Sequence, residues 1–273
     1  GIQQKINQDR GCVAYPFNSS NKEALFLVLD GHGAEGDRVA EFAMRQIVVT
    51  MEKHPQLQND PVTAMKESFV TTNTALMVTP IKYMTSGSTV VAAYLKNNIF
   101  YVANAGDSRF VVAQTDEDSG KIVAKMISRD HKPDCPDEMA RITQWGGFVS
   151  ESPEPGITAR VWLDAEHTLI GLAMSRSIGD HAVKNVGVIP EPDVNLHETT
   201  PRDKFILMAS DGVFEFIENQ EAVDIVQSNL HLGAYVACQI LIQTAAKRWM
   251  EEEGDYRDDV SIIIMFSIAS IAL

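Results

Sequence analysis

Five short apolar runs, each with an aspartate at one end, constrain this chain more than any other feature. They are Leu25-Phe-Leu-Val-Leu-Asp30, Phe100-Tyr-Val-Ala-Asn-Ala-Gly-Asp107, Lys125-Met-Ile-Ser-Arg-Asp130, Phe205-Ile-Leu-Met-Ala-Ser-Asp211 and Asp258-Asp-Val-Ser-Ile-Ile-Ile-Met265. Strands punctuated this way gather carboxylates at one edge of a sheet. Crowded carboxylates repel and resist desolvation, so such a fold neutralises them with protons, basic partners or hard divalent cations. Cations fit best here. No two of the seven histidines and three cysteines stand at zinc-ligand spacing, which leaves oxygen ligands and therefore Mg2+, Mn2+ or Ca2+.

The 273 residues suffice for a large core, and no Pro/Gly/Ser-rich linker divides them, so a single domain over 1–273 is expected. A net charge of -14 with no basic cluster argues against nucleic acid or an anionic membrane surface as partner. Cys12, Cys135 and Cys238 are odd in number and far apart, which points to a reducing compartment and no disulfide framework. The longest apolar runs are too short to span a bilayer and no signal peptide precedes them. The expectation is a soluble intracellular protein, cytoplasmic or nuclear, with some native N-terminal sequence missing.

Residues 24–30 are apolar without alternation, as in a strand buried on both faces, and glycines at 31, 33 and 36 then make a turn. Val39, Phe42, Ala43, Ile47 and Val48 recur at helical spacing, which predicts a helix over 35–51. A second helix is predicted over 61–76, with Pro61 near its start. The runs 88–95, 98–103, 109–114 and 121–127, separated by short turns, read as one antiparallel meander. Further helices are predicted over 136–145, 219–229 and 233–252, and further strands over 205–210 and 260–266. Residues 148–168, with Pro153, Pro155, Gly156 and Trp162, read as an irregular insertion. A loop of that length beside a catalytic edge suggests a substrate or partner surface, with Trp162 either an exposed anchor or tucked under its own loop. The sum is a layered α+β domain in which helices cover packed sheets.

Asp30-Gly31-His32-Gly33 is the sharpest local motif. An acid at a buried strand's end suits a metal, the glycine lets its own carbonyl approach the same ion, and an imidazole follows. A plain strand-to-helix turn capped by the aspartate is the competing reading. Gly106-Asp107-Ser108-Arg109, Ser210-Asp211-Gly212 and Asp258-Asp259 are each also common as turns or gatekeeper charges.

Taken in order, the segments resemble the type-2C metal-dependent protein serine/threonine phosphatases. The resemblance runs through Asn7-Gln8-Asp9-Arg10, Leu29-Asp-Gly-His-Gly33, Ser86-Gly-Ser-Thr89, Ala103-Asn-Ala-Gly-Asp-Ser-Arg109, Asp130-His-Lys-Pro133, Ala173-Met-Ser-Arg-Ser-Ile-Gly-Asp180, Ala209-Ser-Asp-Gly212 and Asp258-Asp-Val-Ser261. It implies a four-layer α/β/β/α sandwich, two antiparallel sheets flanked by helix pairs, with a metal centre at one end. It further implies a monomer that hydrolyses phosphoserine and phosphothreonine in protein substrates, using a hydroxide that bridges two Mg2+ or Mn2+ ions.

By the same resemblance, Asp30 bridges the two ions and the Gly31 carbonyl binds one of them. Asp211 and Asp258 bind the other, Asp9 stands behind and holds metal-bound waters, and Asp130 with Asp211 forms a third, weaker metal site. His32 is the proton donor to the departing seryl or threonyl oxygen, against a reading as a hydrogen-bonded turn histidine. Asp107 either supports the site or fixes a turn. Ser108, Arg109 and Ser175 to Asp180 are expected as structural supports, and so is His131.

Three departures stand out. Where many relatives carry an acidic pair this chain has Gln8-Asp9, which brings one charge fewer to the second metal. Where they carry a phosphate-gripping arginine it has Gln4-Lys5, and Lys5 either replaces that arginine as a point charge or is a solvated surface lysine. Where they show Asp-Asn it has Asp258-Asp259, and the second charge has no motif to explain it. A phosphatase-like regulatory or binding module with weak or no turnover is therefore the alternative. A Ca2+-binding protein is a third reading, but Asp116-Glu-Asp-Ser-Gly120 lacks EF-hand ligand spacing.

Overall fold

The computed structural model describes residues 5–150 and 158–266. The strands of its two main sheets are, in chain order, β1 (Arg10–Ala14), β2 (Ala24–Leu29), β3 (Val90–Lys96), β4 (Ile99–Ala105), β5 (Arg109–Thr115), β6 (Ile122–Met126), β7 (Asp193–Glu198), β8 (Asp203–Ala209) and β9 (Ile262–Phe266). One sheet has the order β1-β2-β3-β4-β7 and the other β9-β8-β5-β6, with every pairing antiparallel. The longer helices are α1 (Gly36–Glu52), α2 (Pro61–Leu76), α3 (Pro136–Gln144), α4 (Asn219–Asn229) and α5 (Ala234–Glu253).

Side chains of β2 explain why its run does not alternate. Leu25, Leu27 and Leu29 pack outward on Val39, Ala43 and Ile47 of α1 and Met65 and Phe69 of α2. Phe26 and Val28 point the other way, into a layer shared with Phe110, Val112, Ile206 and Met208 of the second sheet. That sheet's outer face carries Val111, Ala113, Leu207 and Ala209 against Val223 and Val226 of α4 and Ala237 and Leu241 of α5. Three apolar layers thus separate four layers of structure, and the α/β/β/α sandwich follows from period-2 strands with both faces covered. Helix α2 starts where its sequence directs: Asp60 Oδ1 accepts from the Thr63 N–H at 3.1 Å and Pro61 takes the first helical position.

The expected single meander over 88–127 is corrected by the pairing. Strand β4 bonds to β3 and β7, whereas β5 bonds to β8 and β6, so the chain changes sheets between them at Gly106-Asp107-Ser108. Gly106 has φ 124, and a Cβ there would meet the Thr89 Cβ at 2.5 Å. A backbone open only to glycine therefore turns the chain out of the first sheet. Strands β1 and β7 form the two edges of the first sheet and escaped the sequence reading because neither carries a continuous apolar run.

Residues 148–168 also contain more order than the expected irregular insertion. Phe148–Ser150 pairs antiparallel with Arg160–Trp162, and Val161 packs with Ile142, Leu172, Val183 and Val188 in a separate small core beside α3. Pro153, Pro155 and Gly156 lie outside the described residues. Trp162 is tucked in: its Nε1 donates to Ser150 Oγ at 3.0 Å and its ring stacks on His167 at 5.5 Å.

Register gathers the aspartates. Arg10 faces Leu29, Ala209 faces both Ile262 and Arg109, and Met126 faces Val111. Asp9, Asp30, Asp107, Asp130, Asp211 and Asp258 all lie just beyond these residues, at one end of the sandwich.

Candidate metal centre

Asp30 leaves β2 with its N–H donating to Thr89 Oγ1 at 3.1 Å, while its carbonyl accepts from the Thr89 N–H at 2.9 Å. The next residue is sterically fixed as glycine: a Cβ on Gly31 would come within 2.4 Å of the Gly36 carbonyl oxygen and 2.7 Å of that of Gln8. Gly212 does the same for the second motif, since a Cβ there would lie 1.9 Å from the Asp259 carbonyl oxygen. Trp249 Nε1 donates to the Gly212 carbonyl at 2.8 Å and ties this turn to α5. Two glycines without room for a side chain thereby bring the Asp30 and Asp211 turns against the strands that carry Asp9 and Asp258.

Burial and mutual repulsion set the charge state. Burial pushes the Asp30 carboxyl well above its ordinary range, and the neighbouring Asp211 and Asp9 push it further. Asp211 rises to about 7, through burial and then the charge of Asp107, and Asp9 to about 6, through burial against the lowering effect of Ser210. Ser210 Oγ donates to Asp9 Oδ2 at 2.8 Å.

Whether these residues suit a cation is decided by what remains unpaired. Asp9 Oδ1, Asp107 Oδ1 and Asp211 Oδ1 are buried with no hydrogen-bond partner. Orphaned carboxylate oxygens are costly in a protein interior, and a hard cation with oxygen ligands satisfies them. The donor set fits Mg2+ or Mn2+. Among the described residues, however, no three His, Cys, Asp or Glu side chains already converge on one ligand position. One of the expected ligands is already engaged: Asp258 Oδ1 accepts from Lys5 Nζ at 2.8 Å.

Lys5 is thus exposed but paired, and its ammonium is not free for a phosphate in this arrangement. Its ammonium also donates to the Arg257 carbonyl at 3.1 Å, stands 3.7 Å from Asp259 Oδ1 and lies 5.2 Å above the Tyr256 ring. Burial opposes its charge, but Asp258 raises its pKa on balance. Asp130 is likewise engaged. Arg109 Nε donates to both of its oxygens at 3.1 Å and Nη2 adds a bond of 2.8 Å, so an arginine fork occupies the carboxylate expected at a third metal. Asp107 is an interior group, 3 % exposed and ion-paired with Lys132, whose charge outweighs burial and keeps the carboxyl below its ordinary range.

Gln8 and Asp259 explain each other. The Gln8 N–H donates to Asp259 Oδ2 at 2.8 Å, and its side-chain Nε2 donates to the Gly33 carbonyl at 2.8 Å. A carboxylate at position 8 has no donor for that second bond. The amide therefore pins the Asp30-Gly31-His32-Gly33 turn, and the second aspartate anchors the strand that carries Asp9.

His32 stands apart from the carboxylates, in hydrogen-bond contact with Asp180, which also accepts from Ser177 Oγ at 2.6 Å. Burial alone would lower the pKa of the imidazole; the Asp180 charge and hydrogen bond raise it on balance. Its Nδ1 is buried and unpartnered. Asp180 was legible only as one of several supporting residues, because nothing local marks a contact across 148 positions. Lys132 went unnoticed, although its place after Asp130-His131 was a signal. His131 proves structural: Nδ1 accepts from the Gly106 N–H at 3.2 Å and Nε2 lies 3.1 Å from Asp193 Oδ2, bracing the crossover between the sheets.

Residues 3–254 match the family model described as Protein phosphatase 2C. The chain belongs to the protein phosphatase 2C family. It is 32 % identical over 283 residues to "Probable protein phosphatase 2C 35" of Arabidopsis thaliana, covering 96 % of this chain and 78 % of that protein. Over a shorter stretch of 183 residues it is 40 % identical to "Probable protein phosphatase 2C 12" of Oryza sativa subsp. japonica, covering 66 % of this chain and 46 % of the relative. Its fold matches the crystal structure of serine-threonine phosphatase 2C from Toxoplasma gondii with a TM-score of 0.83 at 22 % identity, over 96 % of this chain and 91 % of that one. Protein phosphatase 2C members are metal-dependent protein serine/threonine phosphatases, and the expected family, α+β fold and enzyme class all stand. Among the described residues no helix is long and apolar enough to cross a membrane.

Proposed function

We propose that this chain dephosphorylates phosphoserine and phosphothreonine in proteins with two Mg2+ or Mn2+ ions at the end of the sandwich. The observation that carries the reading is the set of unpartnered, buried oxygens on Asp9, Asp107 and Asp211. Asp30, Asp211, Asp258 and the Gly31 carbonyl would hold the ions, with Asp9 behind them. When bound, the ions supply an activated water and neutralise the phosphoryl oxygens.

The chain's own residues do the rest. Asp180 holds His32 at Nε2 and favours the charged ring, the state in which His32 can give a proton to the departing seryl or threonyl oxygen. Lys132 offsets the charge of Asp107 and Asp211, so that the acidic cluster tolerates the arrival of a phosphate dianion. Gln8 and Asp259 keep the Asp30 turn in register with β1 and β9.

The test is hydrolysis of a phosphothreonine peptide by the purified chain with Mn2+, with EDTA, and in the Asp211→Asn variant. Turnover is expected only in the first case. Activity that survives both EDTA and the substitution would rule the mechanism out, and a complete lack of turnover with Mn2+ would favour the regulatory-module alternative.

A further inference from the structure

A cavity of about 290 Å3 opens beside His32. His32 and Gly33 bound it on one side, and Met84, Ile170, Leu172 and Met174 on the other. Of the acidic groups at this end of the molecule only Asp180 touches it. Thr85 and Arg160 also line it, with Arg160 Nη1 engaged by the Gly171 carbonyl, so the remaining thioether and aliphatic walls suit an apolar group, and the volume is at the small end for ligand pockets, enough for one side chain.

Two independent features mark the far wall as held in place. Ile170 has φ 54, and a β-branched residue in the left-handed region persists only where its surroundings over-determine it, a pattern that clusters at functional sites. Those surroundings are visible. The Trp162 ring presses on Gly171, where a Cβ would fall within 2.5 Å of it, and Arg160 Nη1 donates to the Gly171 carbonyl at 2.6 Å. Trp162 is itself fixed by Ser150 and His167. Ser150, Arg160, Trp162 and His167 therefore brace residues 170–174 and present them toward His32.

Position gives the cavity a substrate. If His32 protonates the departing oxygen, the peptide carrying that oxygen lies on the His32 side of the carboxylates, and its neighbouring residues pass the cavity mouth at Met84, which is 51 % exposed. We infer that this cavity is a specificity pocket that takes a branched aliphatic or aromatic side chain immediately next to the phosphoserine or phosphothreonine. The inference rests on the phosphatase reading above and names its substrate class.

The test uses phosphothreonine peptides with leucine, phenylalanine or glycine at each neighbouring position. It measures kcat/KM with Mn2+, and binding of the same labelled peptides by fluorescence anisotropy, with p-nitrophenyl phosphate as a substrate that has no neighbours. The wild type is expected to prefer the leucine or phenylalanine peptide over the glycine peptide by about 10-fold or more at one position. Ile170→Gly, which removes the side chain while suiting the backbone, and Met84→Ser, on a different segment, are each expected to shrink that ratio to about twofold. Absence of a preference in a wild type that turns over p-nitrophenyl phosphate overturns the pocket, and so does a preference that survives both substitutions. A wild type that hydrolyses nothing overturns the phosphatase reading instead, and the pocket is then decided by the anisotropy ratio.

Discussion

His32 Nε2 lies 2.7 Å from Asp180 Oδ2, joining the Asp30-Gly31-His32-Gly33 turn to a residue 148 positions away. Asp180 holds a left-handed backbone, φ 49 and ψ 43, and leans over Gly87, where a Cβ would meet its Oδ2 at 2.0 Å. The contact therefore depends on one strained residue and on one position without a side chain. It places a negative charge against the imidazole in a poorly solvated setting, where the charge has most effect.

Asp180→Asn tests that charge. His32 must carry a proton to act as an acid, so the rate falls as pH rises through its pKa. Asp180 holds that pKa up, and its removal moves the alkaline limb of the kcat profile to lower pH. We expect kcat at pH 8 to drop by about 10- to 100-fold, less than the roughly 100- to 10,000-fold that general acid catalysis is worth, because His32 itself remains. Steady-state kinetics across pH 6–9 decide it. A uniform loss with an unmoved limb would make Asp180 a structural support only.

Metal and pH are linked through the raised carboxyls. Asp9 and Asp211 titrate at about 6 and about 7 when folded, against an ordinary 3.8. Between these values the folded chain binds more protons than the unfolded one, so their contribution to stability is present at low pH and is lost as pH rises through 6 to 7. Glu138 works in the opposite direction. It is buried, yet Arg141 and Arg176 hold it below its ordinary 4.5, so its contribution is lost only as pH falls under that value. In EDTA the melting temperature is expected to be several degrees higher at pH 5.5 than at pH 7.5. Millimolar Mn2+ should raise Tm at pH 7.5 and remove most of the gap. Equal melting temperatures in EDTA would mean that the carboxyls are not crowded as described.

Legibility followed physical range. Helix α4 spans the predicted residues 219–229, and β2 and β8 were readable because a strand buried on both faces has to be apolar throughout. The crossover at Gly106 was not readable, since a three-residue link between two strands looks like a hairpin until the pairing is known. The aspartates themselves were legible as strand ends. Their partners were not: Lys5 meets Asp258 across 253 positions, Gln8 meets Asp259 across 251 and Arg109 meets Asp130 across 21. Side-chain identity shows that a carboxylate is present, whereas what neutralises it depends on which segments the fold brings alongside.

Lys5→Gln separates two roles for this lysine. Its ammonium competes with any cation for Asp258, and both groups are partly exposed, so the pair is of the weak, salt-screened kind worth about 0.2–1 kcal/mol. Removing the charge is expected to tighten Mn2+ binding by about two- to fivefold in isothermal titration at low salt. If Lys5 also grips substrate phosphate, KM for a phosphopeptide rises in the same variant. Weaker Mn2+ binding would show instead that Lys5 orients Asp258 for the metal.

Gly106→Ala tests the crossover that separates the two sheets and carries Asp107. The added methyl meets Thr89 Cβ at 2.5 Å and Cγ2 at 2.6 Å, and the backbone at φ 124 is foreign to alanine. Thr89 has little freedom to move: its Oγ1 accepts from the Asp30 N–H and lies 2.8 Å from Ser108 Oγ. The clash therefore acts on the metal-site turn as well as on the fold. We expect a loss of about 2 kcal/mol or more in urea unfolding, from combined overpacking and backbone strain. The same variant should bind Mn2+ more weakly, because displacement of Thr89 is passed to Asp30. Thr89→Ser, which makes room by removing the Cγ2 methyl while keeping the hydroxyl, is expected to restore part of both losses when combined with Gly106→Ala. Stability recovered without metal affinity would place the damage in Asp107 and Lys132 rather than in the Thr89–Asp30 contact.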